Sequence, residues 1–408
     1  MIKEIIPKKE YAARRSRLVK SLKGAIGLIH SGNLGNSLHE TYRPNPNFLY
    51  LTGLSNEPGA LLFLDSSNQV ESKQVQLFLK PRDPEIEVWD GYRSGINQEL
   101  RQATGIETIF RIGSLDRYLT PAAVRCKRLA CLQTFSGCSQ PVSSDFALFK
   151  KVAERIPGVV IEDHSQTLAK MRSRKSSHEI KVIRKAIEIT SRGFSRVLEQ
   201  LAPGMNEFDV QETLEHAYKI HGARGVGYNT IAGSGLNSTV LHYQANDAVL
   251  QPEELICIDS GAAFQGYCAD VTRTFPVSGK FTKRQKEIYE IVLEAELAAI
   301  RKVRPGVTFA QLDQAARGVI CKAGFADAFM HGIGHHLGLE VHDITPDEPL
   351  KEGAVITIEP GVYLPDEKIG IRIEDDILVT RTGSKNLSEK IPETVLQIER
   401  IMKQHRHR

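Results

Sequence analysis

Residues 255–275 read LICIDSGAAFQGYCADVTRTF, which predicts two strands joined by a tight turn at Gln265–Gly266. Side chains of a strand alternate between its two faces. With that turn, Asp270 lies diagonally across from Asp259 on the same face of the hairpin. With a turn at 264–265 the two aspartates lie directly opposite each other. A loop of odd length would separate them, so an even turn is needed to place both carboxylates on one face.

Five candidate metal ligands occur in the last 150 residues: Asp259, Asp270, His335, Glu359 and Glu374. They lie in the segments LICIDSG, CADVTRTF, MHGIGHHLGLEVHD, VITIEPGVYL and GIRIEDDILV. Acidic residues within Ile/Val runs are costly to bury unless a positive charge lies against them. Four carboxylates and one imidazole suit a pair of hard divalent cations. The pattern therefore predicts a dinuclear metal site and a hydrolase.

Taken singly, each ligand has a simpler structural interpretation. An isolated aspartate near a strand end usually caps a turn, and a single histidine such as His335 is more often structural than a ligand. The five residues occur together, however, beside a histidine cluster. Four of the 13 histidines fall within 12 residues: His331, His335, His336 and His342. Their joint occurrence favours the metal site, and His336 is expected to face away because it is adjacent to His335.

Strand periodicity alone does not select the last ligand. Arg372 and Glu374 are two residues apart and share one face of a strand over 370–379, but Asp376 shares that face too. Arg372 and Glu374 could also form a structural ion pair. The choice between Glu374 and Asp376 stays open on these grounds.

A chain of 408 residues is too long for one typical core, so we expect two domains, at residues 1–170 and 171–408. The first alternates the apolar runs AIGLIHS, ALLFLD, VQLFLK and RLACLQ with polar or helical segments, which predicts an α/β domain. The polar run AKMRSRKSSHE marks the boundary.

The second domain is predicted to be α+β, with helices backing a curved antiparallel sheet that carries the site on its inner face. Ser176 and Glu179 form a capping box that opens its first helix. Further helices are expected at 206–221, 283–302 and 308–323.

Charge and composition exclude several classes of protein. With 53 basic and 49 acidic residues, a net charge of +4 gives no reason to expect nucleic acid as a partner. The sequence contains no run of 18 apolar residues, so no membrane span is predicted. The charged N-terminal stretch lacks the apolar region of a secretory signal. Six cysteines without a CxxC pair predict neither a disulfide framework nor a zinc ribbon. A reduced, cytoplasmic protein is the expectation.

The order Asp, Asp, His, Glu, Glu resembles the metal set of the pita-bread metallopeptidases (family M24), which include methionine aminopeptidases, prolidases and aminopeptidase P. HGIGHHLGLEVHD, ITIEPGVYL, GIRIEDDILVT and YNTIAGSGLNSTVLHY are similar to the proline-peptidase branch. NFLYLTGLSNEPGALLFL and RDPEIEVWDGYRSG resemble the N-terminal domain of aminopeptidase P. The resemblance covers residues 10 to about 400 and implies a C-terminal pita-bread fold.

The resemblance also implies the roles of the ligands. Asp270 and Glu374 would bridge two ions, Asp259 would hold one of them, and His335 with Glu359 the other. Glu359 would also move a proton to the leaving nitrogen. An oxygen-rich set favours Mn²⁺, with Zn²⁺ and Co²⁺ as alternatives. Two such ions can activate a shared water near neutral pH.

On the substrate side, the resemblance assigns five further residues. His242 and His342 would stabilise the oxyanion or position the proline nitrogen, and His331 would orient substrate. Arg372 would support a ligand or contact a carboxylate, and Tyr363 would line the proline pocket. Cys257 and Cys268 each precede a metal-binding aspartate by two residues and are expected to be small buried filler.

The implied activity is release of the N-terminal residue from peptides with proline in second position. Prolidase, which cleaves only Xaa-Pro dipeptides, is the main alternative, because Gly334 stands where aminopeptidase P often has a small hydroxyl residue. A metal-independent creatinase-like hydrolase or a non-catalytic binding protein would have lost ligands that this chain keeps. A homo-oligomer, dimer or tetramer, is implied as well. Trp89, the single tryptophan, is expected either under a loop or at a subunit contact that reaches a neighbouring site.

Overall fold

A computed structural model describes residues 5–34, 42–135 and 137–406. The chain divides into two compact units, one spanning Ile6–Arg172 and one that begins at Ser173. Each unit has its own sheets. No helix among the described residues is long and apolar enough to cross a membrane.

The N-terminal unit is built on one mixed sheet. Its strands are β1 (Ile26–His30), β2 (Leu61–Asp65), β3 (Val75–Leu79), β4 (Thr108–Arg111), β5 (Arg128–Cys131) and β6 (Val160–Asp163). Its helices are α1 (Lys8–Ser21), α2 (Pro46–Thr52), α3 (Pro84–Asp90), α4 (Gln98–Thr104), α5 (Leu115–Cys126), α6 (Ser144–Ala153) and α7 (Ser165–Ser173). The strand order is β4-β3-β2-β1-β5-β6, with β2 antiparallel to both its neighbours and the other pairs parallel.

The central strands of this sheet are the four apolar runs, so that part of the prediction is confirmed. Strands β1 and β2 are buried along almost their whole length, which requires apolar side chains on both faces. The edge strands β4 and β6 were not predicted. Most of their residues are partly exposed, and the short segments TIFR and VIED carry little apolar signal.

The C-terminal unit combines helices with short strands. Its helices are α8 (Ser177–Gln200), α9 (Glu207–Ile220), α10 (Lys283–Ile300), α11 (Phe309–Lys322) and α12 (Val395–Arg406). Its strands are β7 (Gly225–Val226), β8 (Ile231–Ser234), β9 (Leu255–Asp259), β10 (Ala262–Phe264), β11 (Tyr267–Cys268), β12 (Thr272–Pro276), β13 (Val355–Ile358), β14 (Gly361–Leu364), β15 (Ile369–Arg372), β16 (Asp375–Val379) and β17 (Ser384–Asn386).

These strands form four small antiparallel sheets, ordered β11-β10-β7, β12-β9-β8, β13-β16-β17 and β14-β15. Helix α8 packs on β10 and β11, α9 on β8, and α10 on β15. The α+β prediction is therefore confirmed. The predicted capping box also closes the start of α8, since Ser176 Oγ accepts from the Glu179 N–H and Glu179 accepts from the Ser176 N–H.

The hairpin at 255–275 has the predicted even turn. Gln265 and Gly266 both have positive φ, 47° and 87°, as a two-residue type I′ turn requires. Phe264 pairs with Tyr267, and in the same register Asp259 pairs with Thr272. Asp270 therefore lies diagonally across from Asp259, as expected for the turn at 265–266.

The hairpin differs from the prediction in one respect, because both of its strands are interrupted. The turn end belongs to one sheet and the Asp259 end to another. At the interruption the two segments of the hairpin approach closely, and a Cβ on Gly261 would lie 1.8 Å from the Ala269 carbonyl oxygen. Only glycine fits at residue 261 without moving the backbone.

Candidate metal centre

The four carboxylates of the predicted ligand set all lie where a strand ends or is interrupted. Asp259 is the last residue of β9, Asp270 lies between β11 and β12, Glu359 follows β13, and Glu374 lies between β15 and β16. Side chains at such breaks are released from the alternation of a regular strand. The expectation of one continuous strand over 370–379 is wrong for this reason.

The breaks bring the acidic side chains to one cavity of about 480 Å³. Nine of the candidate ligands and substrate-contacting residues line it: Asp259, Asp270, His335, Glu359, Glu374, His242, His331, His342 and Arg372. Asp376 is not among them, since its Oδ2 accepts a hydrogen bond from the Asp270 N–H at 3.2 Å instead. Trp89 lies in the N-terminal unit and Tyr363 is buried, and neither belongs to the lining described.

The His335 ring is oriented as a metal ligand would be. Its Nδ1–H can donate to the His336 carbonyl oxygen at 3.1 Å, which leaves the Nε2 lone pair free. Nε2 lies 3.4 Å from Asp270 Oδ2 and 3.5 Å from Glu359 Oε1. Burial, followed by the neighbouring His342, lowers the pKa of His335 to about 4, so the ring is neutral at pH 7. One ligand atom each from Asp270, His335 and Glu374 lies within 4.8 Å of the others.

The carboxylates are crowded. Burial, followed by neighbouring carboxylates, raises the pKa values of Asp270 and Glu374 well above their usual range. Burial also raises the pKa of Glu359 to about 7, against the opposing effect of Arg372. Negative charge is therefore confined here with too little positive charge to balance it. Oxygen donors and one neutral imidazole in this arrangement fit hard divalent ions.

Three hydroxyl groups that the sequence did not single out hold the ligands. Thr272 Oγ1 donates to Glu374 Oε2 at 2.7 Å, and Thr357 Oγ1 accepts from the His335 N–H at 3.1 Å. The Tyr228 hydroxyl lies within hydrogen-bonding distance of the carboxylates of both Asp259 and Asp270. Strand pairing could have identified Thr272, which is opposite Asp259. No local signal identifies Tyr228, because its partners are 31 and 42 residues away.

Arg372 begins a chain of hydrogen bonds along one wall. Its Nη2 donates to Asp259 Oδ2 at 2.8 Å, so it does not form the ion pair with Glu374 considered above. Its Nη1 donates to the Tyr363 hydroxyl at 3.1 Å, which lies 2.8 Å from His331 Nε2. Burial, followed by Arg372, lowers the pKa of His331 to about 4, so the neutral Nε2 accepts from Tyr363. Tyr363 therefore lies behind His331, and its contact with substrate stays a prediction.

His242, His336 and His342 differ in how far they are exposed. His242 and His342 are exposed to the cavity, and the His342 ring centroid lies 4.1 Å from that of His335. His336 is buried against the edge of Phe309, away from the lining, as expected.

Gly334, which precedes His335, has no room for a side chain. Its φ is +152°, and a Cβ there would lie 2.1 Å from the Thr357 carbonyl oxygen. A hydroxyl residue would not fit this backbone. Cys257 and Cys268 are buried and unpaired, and burial raises the pKa of the Cys257 thiol. Neither cysteine lines the cavity described above.

Comparison with known proteins gives this geometry a context. Residues 181–381 match metallopeptidase family M24, and residues 11–130 match the aminopeptidase P N-terminal domain. Xaa-Pro aminopeptidase of Escherichia coli is 34% identical over 97% of this chain and 98% of its own. The structure of aminopeptidase P from E. coli with the inhibitor Pro-Leu superposes with a TM-score of 0.88, at 32% identity, over 99% of this chain and 100% of the other. An Xaa-Pro dipeptidase of Pyrococcus horikoshii is 43% identical over only 54% of this chain and 63% of its own.

Proposed function

The chain belongs to metallopeptidase family M24, and from this premise we propose that it is an Xaa-Pro aminopeptidase that uses two divalent ions. It releases the N-terminal residue from peptides whose second residue is proline. One observation carries the proposal: four carboxylates and the Nε2 of His335 converge on one cavity, in a chain that matches Xaa-Pro aminopeptidases from end to end. The prolidase alternative is weaker, because the dipeptidase relative matches only about half of the chain.

We propose the ligand roles that the family resemblance implies, and the burial of the side chains supports them. Asp270 and Glu374, the two most buried carboxylates of the set, would each contact both ions. Asp259 would hold one ion, and His335 and Glu359 the other. When bound, the ions would activate water and polarise the peptide carbonyl. The oxygen-rich donor set and the buried cysteine thiols outside the cavity lining support Mn²⁺ ahead of Zn²⁺ or Co²⁺.

The remaining residues act on the substrate. Glu359, which lines the cavity, is proposed to hold and release the proton that reaches the leaving nitrogen. His342 and His242 are exposed to the cavity and are proposed to donate to the developing oxyanion or to position the proline nitrogen. His331, held by Tyr363, would orient the peptide, and Arg372 would fix Asp259 in place.

A comparison of peptides tests the activity. Mn²⁺-loaded protein should release the first residue of a tripeptide or longer Xaa-Pro peptide, and should cleave the matched peptide with alanine in second position far more slowly. The Gly-Pro dipeptide should be a poorer substrate than the longer peptide. The measurement is the initial rate of amino-acid release. Hydrolysis confined to the dipeptide would instead make the protein a prolidase.

Exposure of Trp89 supports a homo-oligomer, as a dimer or tetramer. The indole is 86% exposed at the end of α3, with Tyr92 at 92% and Val88 at 78% beside it, so the alternative of packing under a loop is not observed. Exposed aromatics of this kind are common anchors of subunit contacts. We propose that Trp89 lies at such a contact and reaches the mouth of a neighbouring site.

A cytoplasmic location is proposed because all six cysteines are free.

Trp89→Ala should slow cleavage of longer Xaa-Pro peptides more than that of dipeptides. Only the longer peptide extends far enough to reach Trp89 at the mouth of the neighbouring site. The chain should stay folded, with the circular dichroism spectrum of wild type, since a side chain exposed on its own chain contributes little to the core. Val124→Ala, another exposed apolar residue of this unit, should change neither rate. Equal losses on both substrates, together with a lowered melting temperature, would assign Trp89 to a structural role.

A further inference from the structure

A second group of buried carboxylates lies beside the strand break that carries Glu374. It consists of Glu296 on α10, Asp375 at the start of β16, and Glu393 just before α12. One carboxylate oxygen of each lies within 4.8 Å of the other two. None of the three lines the cavity described above, so the group is separate from the dinuclear centre.

Glu296 is the unusual member. Its side chain is completely buried, and neither carboxylate oxygen accepts a hydrogen bond from any residue the structure describes. Burying a carboxylate without a partner is one of the most unfavourable arrangements in a protein. Burial, followed by Asp375, raises its pKa well above the usual range. Some positive species must therefore accompany Glu296, either a proton or a cation.

The surrounding charges do not supply it. Asp375 already has partners on both oxygens: its Oδ1 accepts from Arg273 Nη2 at 2.6 Å and from Ser388 Oγ at 2.7 Å, and its Oδ2 accepts from Asn386 Nδ2 at 2.6 Å. One acceptor site of Oδ2 remains for a further partner. Arg273 directs its remaining donors to backbone carbonyls, including that of Glu374 at 2.7 Å. Three carboxylates face one guanidinium, which leaves two negative charges when all three are ionised. A divalent ion would balance them.

We propose that Glu296, Asp375 and Glu393 bind a hard divalent cation of the Ca²⁺ class, as a third metal site of the chain. All the donors are oxygens, which this class prefers. Ligands on opposite sides of Ca²⁺ are about 4.6–5.2 Å apart, because each Ca–O distance is about 2.3–2.6 Å. A separation of up to 4.8 Å between the carboxylate oxygens fits that span. Glu393 is partly exposed and provides access from solvent.

Such an ion would join three parts of the fold. It would connect α10 and the segment before α12 to β16, one residue after Glu374. The Tyr289 hydroxyl of α10 already donates to the Glu393 carbonyl oxygen at 2.7 Å. The cation would add a second contact between α10 and the segment before α12. The expected effect is on stability, since the site does not contact the cavity.

Calcium binding is the test, and it is made in the Asp270→Ala background, which weakens the dinuclear centre. The ion of the third site is then the Ca²⁺ that is lost when Glu296→Gln is added. Equilibrium dialysis should find at least one Ca²⁺ per chain, and Ca²⁺ should raise the melting temperature by about 3 °C or more. Adding Glu296→Gln should remove both the bound ion and the thermal shift. The substitution keeps the shape of the side chain and removes its charge, so the protein should fold.

Glu294→Gln serves as the matched control. Glu294 is on the same helix but more than half exposed, paired with Arg301. In the same background it should keep the bound Ca²⁺ and the full thermal shift. The proposal would be overturned if the Asp270→Ala protein bound no Ca²⁺, or if adding Glu296→Gln left binding unchanged. Glu296 would then be held as a neutral carboxylic acid.

Discussion

Asp270→Ala should reduce peptide hydrolysis to background and lower the bound metal below two ions per chain. Asp270 lies among all the other proposed ligands, within 3.4 Å of His335 Nε2 and diagonally across from Asp259. Loss of a residue that only orients a metal ligand typically costs 10–100-fold in metal affinity or activity, so removal of a shared ligand should cost more than about 100-fold. Glu374→Ala should behave in the same way. Metal content by mass spectrometry and the rate on an Xaa-Pro peptide provide the measurements.

Stability separates this effect from misfolding. Without metal, the Asp270 carboxylate is buried among like charges that raise its pKa. Its removal should therefore leave the melting temperature of the metal-free protein unchanged or higher, while the stabilisation of the wild type by Mn²⁺ should be lost in the variant. Asp366→Ala removes an exposed carboxylate from the turn between β14 and β15 and should retain both metal and rate. An Asp270→Ala protein that binds two ions and turns over normally would contradict the assignment.

The hairpin shows how much of the fold the sequence could predict. A Gln-Gly pair between two apolar runs sets a two-residue turn, and the turn fixes the register that places Asp259 and Asp270 on one face. The start of α8 was equally predictable from the sequence, because a capping box depends on residues three apart. Both are local signals, in which the groups that interact are close in sequence.

The interruptions of the strands were not predictable from periodicity. Alternation gives Glu374 and Asp376 the same face, yet only Glu374 reaches the cavity because β15 ends at Arg372 and β16 begins at Asp375. The break depends on neighbours distant in sequence, such as the bridge from Thr272 to Glu374. Family resemblance selected Glu374 where the pattern could not.

Long-range hydrogen bonds were missed for a related reason. Arg372 was expected to support a ligand or contact a carboxylate, but the sequence could not identify its partner as Asp259, 113 residues earlier. The Tyr228 hydroxyl likewise contacts the carboxylates of Asp259 and Asp270, which are 31 and 42 residues later in the sequence. Residue type and local spacing carry no information about such pairs, so candidate ligands could be identified from the sequence but the groups that hold them could not.

His342→Ala provides the second large effect, and it tests whether a cavity histidine acts on the substrate or on the metal. The His342 ring lies against that of His335, at 4.1 Å between centroids, but it is exposed to the cavity, whereas His335 directs Nε2 at Asp270 and Glu359. Loss of one donor to a developing oxyanion costs about 10²–10³-fold in turnover. The variant should show that loss with metal content near wild type.

Two comparisons make the outcome specific. His335→Ala should lose metal and rate together, and His216→Ala, an exposed histidine on α9, should lose neither. The backbone at residue 342 should stay in place because the next residue, Asp343, is buried, pairs with Lys175 at 3.2 Å and donates its N–H to the His336 carbonyl oxygen. His342→Gln, which keeps a donor, should recover part of the turnover. If His342→Ala instead loses metal and rate together, His342 is a ligand and displaces His335 from the set.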